Sequence, residues 1–313
     1  MTEKQPSLYR INLKPGNCKD RKKLIQFCLK DDFEKQYVVI GWSSIYKDDN
    51  NSQFTDYNGF YDAVLKKRGK SHHALNVFRN VVPNDLFWTR DLNGYYWICR
   101  AKEGAAPYNQ ENDLDIGAMV PVEAYKVGLE VPGQIKASFT AVRNTIHDLT
   151  GNELVLNYSK YEFNKRSGKD VYSYDCKQGE GSFLDNLPDF DLEELVISYI
   201  QLKKNYYVLS NSIANHSTTI KIECEFISRD PAKKGQRAVV QVKGGRDRKL
   251  KAEDFKEFTE KGCLVYLYAP YIENPEKNER IIVITKEELE RFSGVQRAPA
   301  GLHYPVGEPV PIM

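Results

Sequence analysis

Long apolar runs are missing from this 313-residue chain. Nothing in it approaches the roughly 20 consecutive apolar residues that a membrane-spanning helix requires, so no membrane partner is expected. The opening stretch MTEKQPSLYRINLKPG has no apolar core of the secretory kind, which points to a cytoplasmic protein. Cysteine spacing is equally uninformative in a useful way: Cys18, Cys28, Cys99, Cys176, Cys224 and Cys263 include no C-x-x-C pair, which argues against a zinc knuckle and against a disulfide framework. A strong excess of one charge is also lacking. With a net charge of only +2, any surface for a polyanion has to come from local clustering. What the chain has in quantity is aromatic residues, 20 Tyr, 14 Phe and 3 Trp, enough both for cores and for faces on which a base can stack.

At 36.1 kDa there is material for two compact domains, each with its own core. The first half reads as strand LYRINLK, helix RKKLIQFCLK, strand YVVIGW, helical stretches between Phe60 and Arg79, and two aromatic, β-branched runs, DLFWTRD and GYYWICRAK. Asn93-Gly94 between those runs is a two-residue hairpin signal. GAMVPVEAYKVGLEV and a helical ASFTAVRNTIHDL complete a mixed α+β unit over residues 1–160. Residues 161–187 are polar, rich in Gly and Lys and without periodicity, as in a linker. Residues 188–295 form a second α/β unit, and 296–313 are a Pro-rich tail that cannot build a core.

In the second unit FDLEELVISYIQLKK has apolar residues at helical spacing. Three strands follow (YYVLSNS, TIKIECEFI, RAVVQVK), then a helix from Ala252 to Lys261, the apolar strand CLVYLYA, the strand RIIVIT and the helix KEELERF. Period-two alternation in VVQVK places Gln241 and Lys243 on one face, with Val240 and Val242 on the other. Glu223 and Glu225 share a face of the preceding strand, so either is a candidate metal ligand.

The order helix, three strands, helix, strand, together with LEELV, ECEFI and VVQVKGG, resembles the PD-(D/E)XK nuclease superfamily in its Mrr-like restriction endonuclease branch. The resemblance implies an α/β/α restriction-endonuclease-like domain with Glu193, Glu225, Gln241 and Lys243 as catalytic residues. It also implies Mg²⁺ or Mn²⁺ on Glu225 and Gln241, with the backbone of Val242 as a further ligand. Glu223 stays open as the alternative to Glu225. Here the usual aspartate is a glutamate and the usual Glu-x-Lys is Gln-x-Lys. In such a centre a metal lowers the pKa of the attacking water and Lys243 holds that water against the phosphate. Arg246, Arg248 and Lys249, on the turn that follows, are candidate phosphate contacts.

The texture of the first unit, VVIGW followed by PNDLFWTRDLNGYYWICRAKEG and VPVEAYKVGLEVPG, is similar to the PUA-like superfamily with its EVE and YTH modules. That likeness implies a small β-barrel with flanking helices and a pocket for a modified or flipped base, with Trp42 and Trp88 as the aromatic faces and Ser43, Thr89 and Asp91 as polar neighbours. His72-His73 reads as helix surface. A base reader joined to a nuclease is the layout of modification-dependent, type IV-like restriction enzymes. The expectation is therefore a prokaryotic, metal-dependent endonuclease of anti-phage defence that acts on modified DNA, with a homodimer cutting duplex. A catalytically decayed nucleic-acid-binding module and a ribonuclease of the same fold are the alternatives.

Overall fold

The computed structural model describes residues 5–30, 35–70, 72–140, 144–174, 183–187, 189–213, 222–245 and 248–293. The chain is mixed α+β, with curled sheets that include a half-barrel, and it divides into two compact units, residues 1–176 and 177–313.

The first unit contains β1 (Leu8–Ile11), α1 (Arg21–Cys28), β2 (Gln36–Ile40), α2 (Tyr57–Arg68), α3 (His73–Asn80), β3 (Leu86–Arg90), β4 (Tyr96–Ala101), β5 (Ala106–Pro107), β6 (Ala118–Gly128), α4 (Gly133–Ser138), β7 (Ile146–Asp148) and α5 (Glu153–Ser167). Its sheet runs β2-β6-β4-β3-β1-β7, with β5 on β6; β1 and β3 are parallel and the other pairs antiparallel. Alternation gives the sheet two apolar faces. Tyr9, Ile11, Val38, Ile40 and Phe87 pack with Phe60, Leu75 and Phe78 of α2 and α3, while Leu8, Trp88 and Ile98 pack with Ile135, Leu156 and Phe163 of α4 and α5.

Three expectations need correction here. The stretch read as one helix from Ala137 to Leu149 is instead the end of α4 and the strand β7, because Ile146 pairs with Ile11 and is buried against β1. The hairpin between β3 and β4 is not a two-residue turn: Arg90 pairs with Tyr96, Asp91 pairs with Tyr95 (N to O, 3.0 Å), and Gly94 takes φ +86 in the intervening loop. The first unit does not end at 160 in a linker. α5 runs to Ser167 and carries Phe163 into the core, with Tyr172 behind it, so residues 161–172 of the expected linker belong to the first unit.

The second unit contains α6 (Phe183–Asn186), α7 (Asp189–Lys203), β8 (Tyr206–Val208), β9 (Cys224–Ser228), β10 (Arg237–Val242), β11 (Lys249–Lys251), α8 (Lys256–Glu260), β12 (Leu264–Tyr268), β13 (Tyr271–Glu273), β14 (Ile281–Val283) and α9 (Lys286–Ser293). The main sheet is ordered β14-β12-β10-β9-β8, and β11 pairs with β13 in a second, two-stranded sheet that the sequence did not announce. α7 and α9 cover one face through Leu192, Val196, Ile200 and Leu289 on Phe226, Val240 and Tyr266. Val239, Val265, Leu267, Leu250 and Phe255 close the other. Among the described residues no helix is long and apolar enough to cross a membrane. The Pro-rich tail lies outside the described residues.

Candidate functional site

Two places gather polar chemistry, one in each unit. In the second unit the pairing of β9 with β10 decides which acid meets Gln241. Val239 lies opposite Glu225 and Val240 opposite Cys224, and the Glu223 N–H donates to the Val240 carbonyl at 2.8 Å, which leaves Glu223 facing Gln241. The Gln241 side-chain nitrogen donates to Glu223 Oε1, and it also lies 3.1 Å from the Val242 carbonyl. Both side chains are buried, Glu223 at 9% and Gln241 at 4% exposure.

Glu225 goes elsewhere. Two residues along a strand is about 7 Å, and at that distance Glu225 forms an ion pair with Arg237 (2.9 Å) in a half-exposed position. The preference for Glu225 as the acid beside Gln241 is therefore corrected to Glu223, which was its open alternative.

The start of α7 closes the group from above. A Cβ on Gly244 would stand 2.9 Å from Asp189 Oδ1 and 3.0 Å from Leu192 Cδ2, so the chain leaving β10 passes close against the side-chain ends of α7. Gly245 then turns with φ +84, and Arg248 returns to pair with Asp189 at 3.2 Å. This close approach brings Glu193 into the fields of Glu223, Asp189 and Lys243. Burial first, then the Glu223 and Asp189 charges, push the Glu193 carboxyl up to about 8, and Lys243 opposes them. Lys243 is half-buried, and its N–H is held by the Tyr268 carbonyl at 2.8 Å. The structure thus brings together Glu193, Glu223, Gln241 and Lys243.

Among the remaining expected contacts, Arg248 is engaged with Asp189 and Lys249 lies over the Tyr271 ring at 5.4 Å; Arg246 lies outside the described residues. Among the described residues no cluster of three or more His, Cys, Asp or Glu side chains is arranged to hold a metal. The donors that do converge are two carboxyls and an amide whose nitrogen is turned to Glu223. A divalent cation held by oxygen ligands with several waters retained is the kind of group such donors could take, since it would offset the repulsion between Glu193 and Glu223 that adds to burial in raising Glu193.

In the first unit a cavity of about 290 Å³ opens at the ends of β1 and β2. Its lining includes Lys14, Gly41, Trp42, Arg68, Asp115 and Thr145. Trp42 is held at φ +73, a conformation that costs a bulky side chain free energy and needs support. Asp115 supplies that support from a buried position, accepting from the N–H of Ser43 (3.1 Å), the hydroxyl of Ser43 (3.0 Å) and the N–H of Asn17 (2.9 Å). Gly117 is obligatory beneath the loop, since a Cβ there would meet the Gly41 carbonyl at 2.1 Å. The His72 ring lies 5.4 Å from that of Trp42, so His72 packs against Trp42 at the start of α3.

The other proposed reader residues are corrected. Trp88 is fully buried, stacked on Tyr158, with its indole N–H donated to Ser159 (2.8 Å), and Thr89 is fully buried too. Asp91 fastens the β3–β4 loop and accepts from the Trp97 indole at 3.0 Å. None of the three lines the cavity. The sequence reading missed Asp115, Lys14 and Arg68; the one available signal was that Gly41-Trp42 closes an apolar strand.

Comparisons of the chain with protein-family models, with curated proteins and with solved structures find no match in any of the three.

Proposed function

We propose that the protein is a metal-dependent endonuclease of the PD-(D/E)XK type, joined to a PUA-like unit that reads a base. The observation that carries the reading is the convergence of Glu193, Glu223, Gln241 and Lys243 at the ends of β9 and β10 beneath α7. Glu223 and Glu193 would hold Mg²⁺ or Mn²⁺, with the Gln241 oxygen as a further donor; when bound, the ion supplies a water of lowered pKa and neutralises charge on the phosphate. Gln241 keeps Glu223 oriented by its amide hydrogen bond. Lys243 offers an ammonium to the scissile phosphate and to the attacking water, an electrostatic role strengthened by its half-buried position.

The cavity at Trp42 is at the small end of ligand pockets, sized for a single base, and Trp42 offers it a ring face. This supports recognition of a flipped, modified base in DNA. Restriction of foreign DNA in a prokaryotic cytoplasm is the task that suits the pairing, with a homodimer supplying the second active site for duplex cleavage.

The test is one cleavage assay on modified DNA, unmodified DNA and RNA, with Mg²⁺ or Mn²⁺ and with chelator. The expected result is metal-dependent cutting of modified DNA and its loss, by at least about a hundredfold, in Lys243→Ala. The absence of a three-carboxylate cluster among the described residues favours one competing reading, a nucleic-acid-binding module that no longer cuts. Binding without cleavage on every substrate establishes that reading instead, and cutting confined to RNA makes the protein a ribonuclease.

A further inference from the structure

Arg10 sits in the interior of the first unit with no acid to balance it. It lies on β1 between Trp88 of β3 and His147 of β7, on the face that carries Leu8, and it is completely inaccessible to solvent. Nη1 donates to the carbonyls of Asn144 (2.7 Å) and Thr145 (3.4 Å), while Nε and Nη2 are buried without any hydrogen-bond partner. Among the described residues no carboxylate forms an ion pair with it. A buried guanidinium that is half unsatisfied costs several kcal/mol, and the usual remedy in a folded chain, a carboxylate within reach, is not used.

The surroundings are cationic rather than neutral. The Arg90 guanidinium stands 5.6 Å from the centroid of the Phe139 ring, and that of Arg10 5.5 Å from the same centroid. Arg90 and His147 are both exposed. Asp148, the acid His147 does feel, projects from the opposite face of β7. Thr145 connects the cluster to the cavity, because its carbonyl accepts from Arg10 and the residue also lines the pocket beside Lys14.

We propose that Arg10 and Arg90, with His147 at the rim, form a phosphate-binding site next to the cavity. Phosphate oxygens satisfy the free Nε and Nη2 of Arg10 in the paired geometry that a guanidinium fork offers, and the Phe139 ring swings aside to admit them. The anion site itself is independent of the nuclease reading. Its assignment to a backbone phosphate, flanking the nucleotide whose base occupies the cavity, rests on that reading.

The experiment uses the full chain and follows the first unit by tryptophan fluorescence, since Trp42, Trp88 and Trp97 all lie there. Sodium phosphate near ten times its Kd, against sodium chloride of equal ionic strength, should raise the melting temperature of wild type by roughly 3 °C. Arg10→Met should abolish that rise. Arg90→Ala, an exposed change that leaves the fold intact, should raise the phosphate concentration required roughly tenfold. Lys136→Ala, an exposed charge on α4, should change nothing.

The second arm measures binding of a short single-stranded oligonucleotide to the same variants. Weakening in Arg90→Ala and not in Lys136→Ala identifies a backbone phosphate as the source. A phosphate response with no such weakening keeps the site, assigns it to free phosphate and counts against the reader. The proposal is overturned if Arg90→Ala and Lys136→Ala behave alike in both arms, or if phosphate raises wild type no more than Arg10→Met. Should Arg10→Met fail to fold, the Arg90 comparison decides.

Discussion

Replacing Glu193 by Gln tests the electrostatics of the second unit without any assay of cleavage. The glutamine is nearly isosteric with the protonated acid and carries no charge at any pH. In the folded chain burial, Glu223 and Asp189 raise the Glu193 carboxyl from about 4.5 to about 8. At about 1.4 kcal/mol for each pKa unit, the upper bound on the linked free energy is about 5 kcal/mol. Solvent screening of a partly exposed group brings the figure nearer 2 kcal/mol. The folded state binds the proton over a range in which the unfolded chain has released it, so stability is full below about pH 4.5 and is lost as pH rises through about 8.

Wild type and Glu193→Gln should accordingly be equally stable near pH 4.5, with the variant ahead by about 2 kcal/mol near pH 8.5. Urea unfolding followed by far-UV circular dichroism reads this, with tryptophan fluorescence reporting the first unit separately, because the second contains no tryptophan. Mg²⁺ at alkaline pH should narrow the gap by stabilising wild type. A difference that is constant across pH, or absent throughout, would refute the placement of Glu193 beside Glu223 and Asp189.

Three further outcomes follow from the same geometry. Glu223→Gln should reduce cleavage by about a hundredfold or more, whereas Glu225→Gln should leave it within a few-fold, and steady-state rates on one substrate separate the two. Gly244→Ala forces a Cβ to 2.9 Å from Asp189 and 3.0 Å from Leu192; it should cost about 1 to 3 kcal/mol and disturb the centre, read by denaturant unfolding together with activity. Trp42→Ala should weaken oligonucleotide binding by about 1 to 3 kcal/mol with little change in stability, while Trp88→Phe, which takes a donor from Ser159 and volume from the core, should cost about 1 to 3 kcal/mol of stability and leave binding intact.

The second unit was largely legible because its elements obey simple periods. α7 repeats Leu192, Val196 and Ile200 along one face, and β12 is an apolar run buried on both sides, as a central parallel strand should be. α5 was hidden for the opposite reason. Its buried stripe contains Ser159, Lys160, Glu162 and Asn164, each with a specific partner: the Trp88 indole, Gln5, Arg166 and the backbone of Tyr172. A hydropathy pattern cannot register a helix whose inner face is satisfied by hydrogen bonds. Trp88 was misassigned by the same blindness, because an indole with a buried hydroxyl waiting for it reads no differently from one that faces an open pocket.

The choice between Glu223 and Glu225 shows where sequence periodicity stops. Both acids point to one side of β9, so period two cannot separate them; what separates them is register, a relation between two strands. That register is set by the connection from Ser228 to Arg237, where the Ser228 N–H donates to the Gln236 carbonyl (2.9 Å), Asp230 caps the short turn at Pro231–Lys233 through the Ala232 N–H (2.9 Å), and Gly235 reverses the chain at φ +80. Sliding the pairing by two residues would keep every side chain on its face and put Glu225 opposite Gln241 in place of Glu223. Arg237 would then lose its partner, and Glu223 would be carried past the end of the Gln241 amide. The turn selects the acid that meets Gln241, although none of its own residues touches the centre.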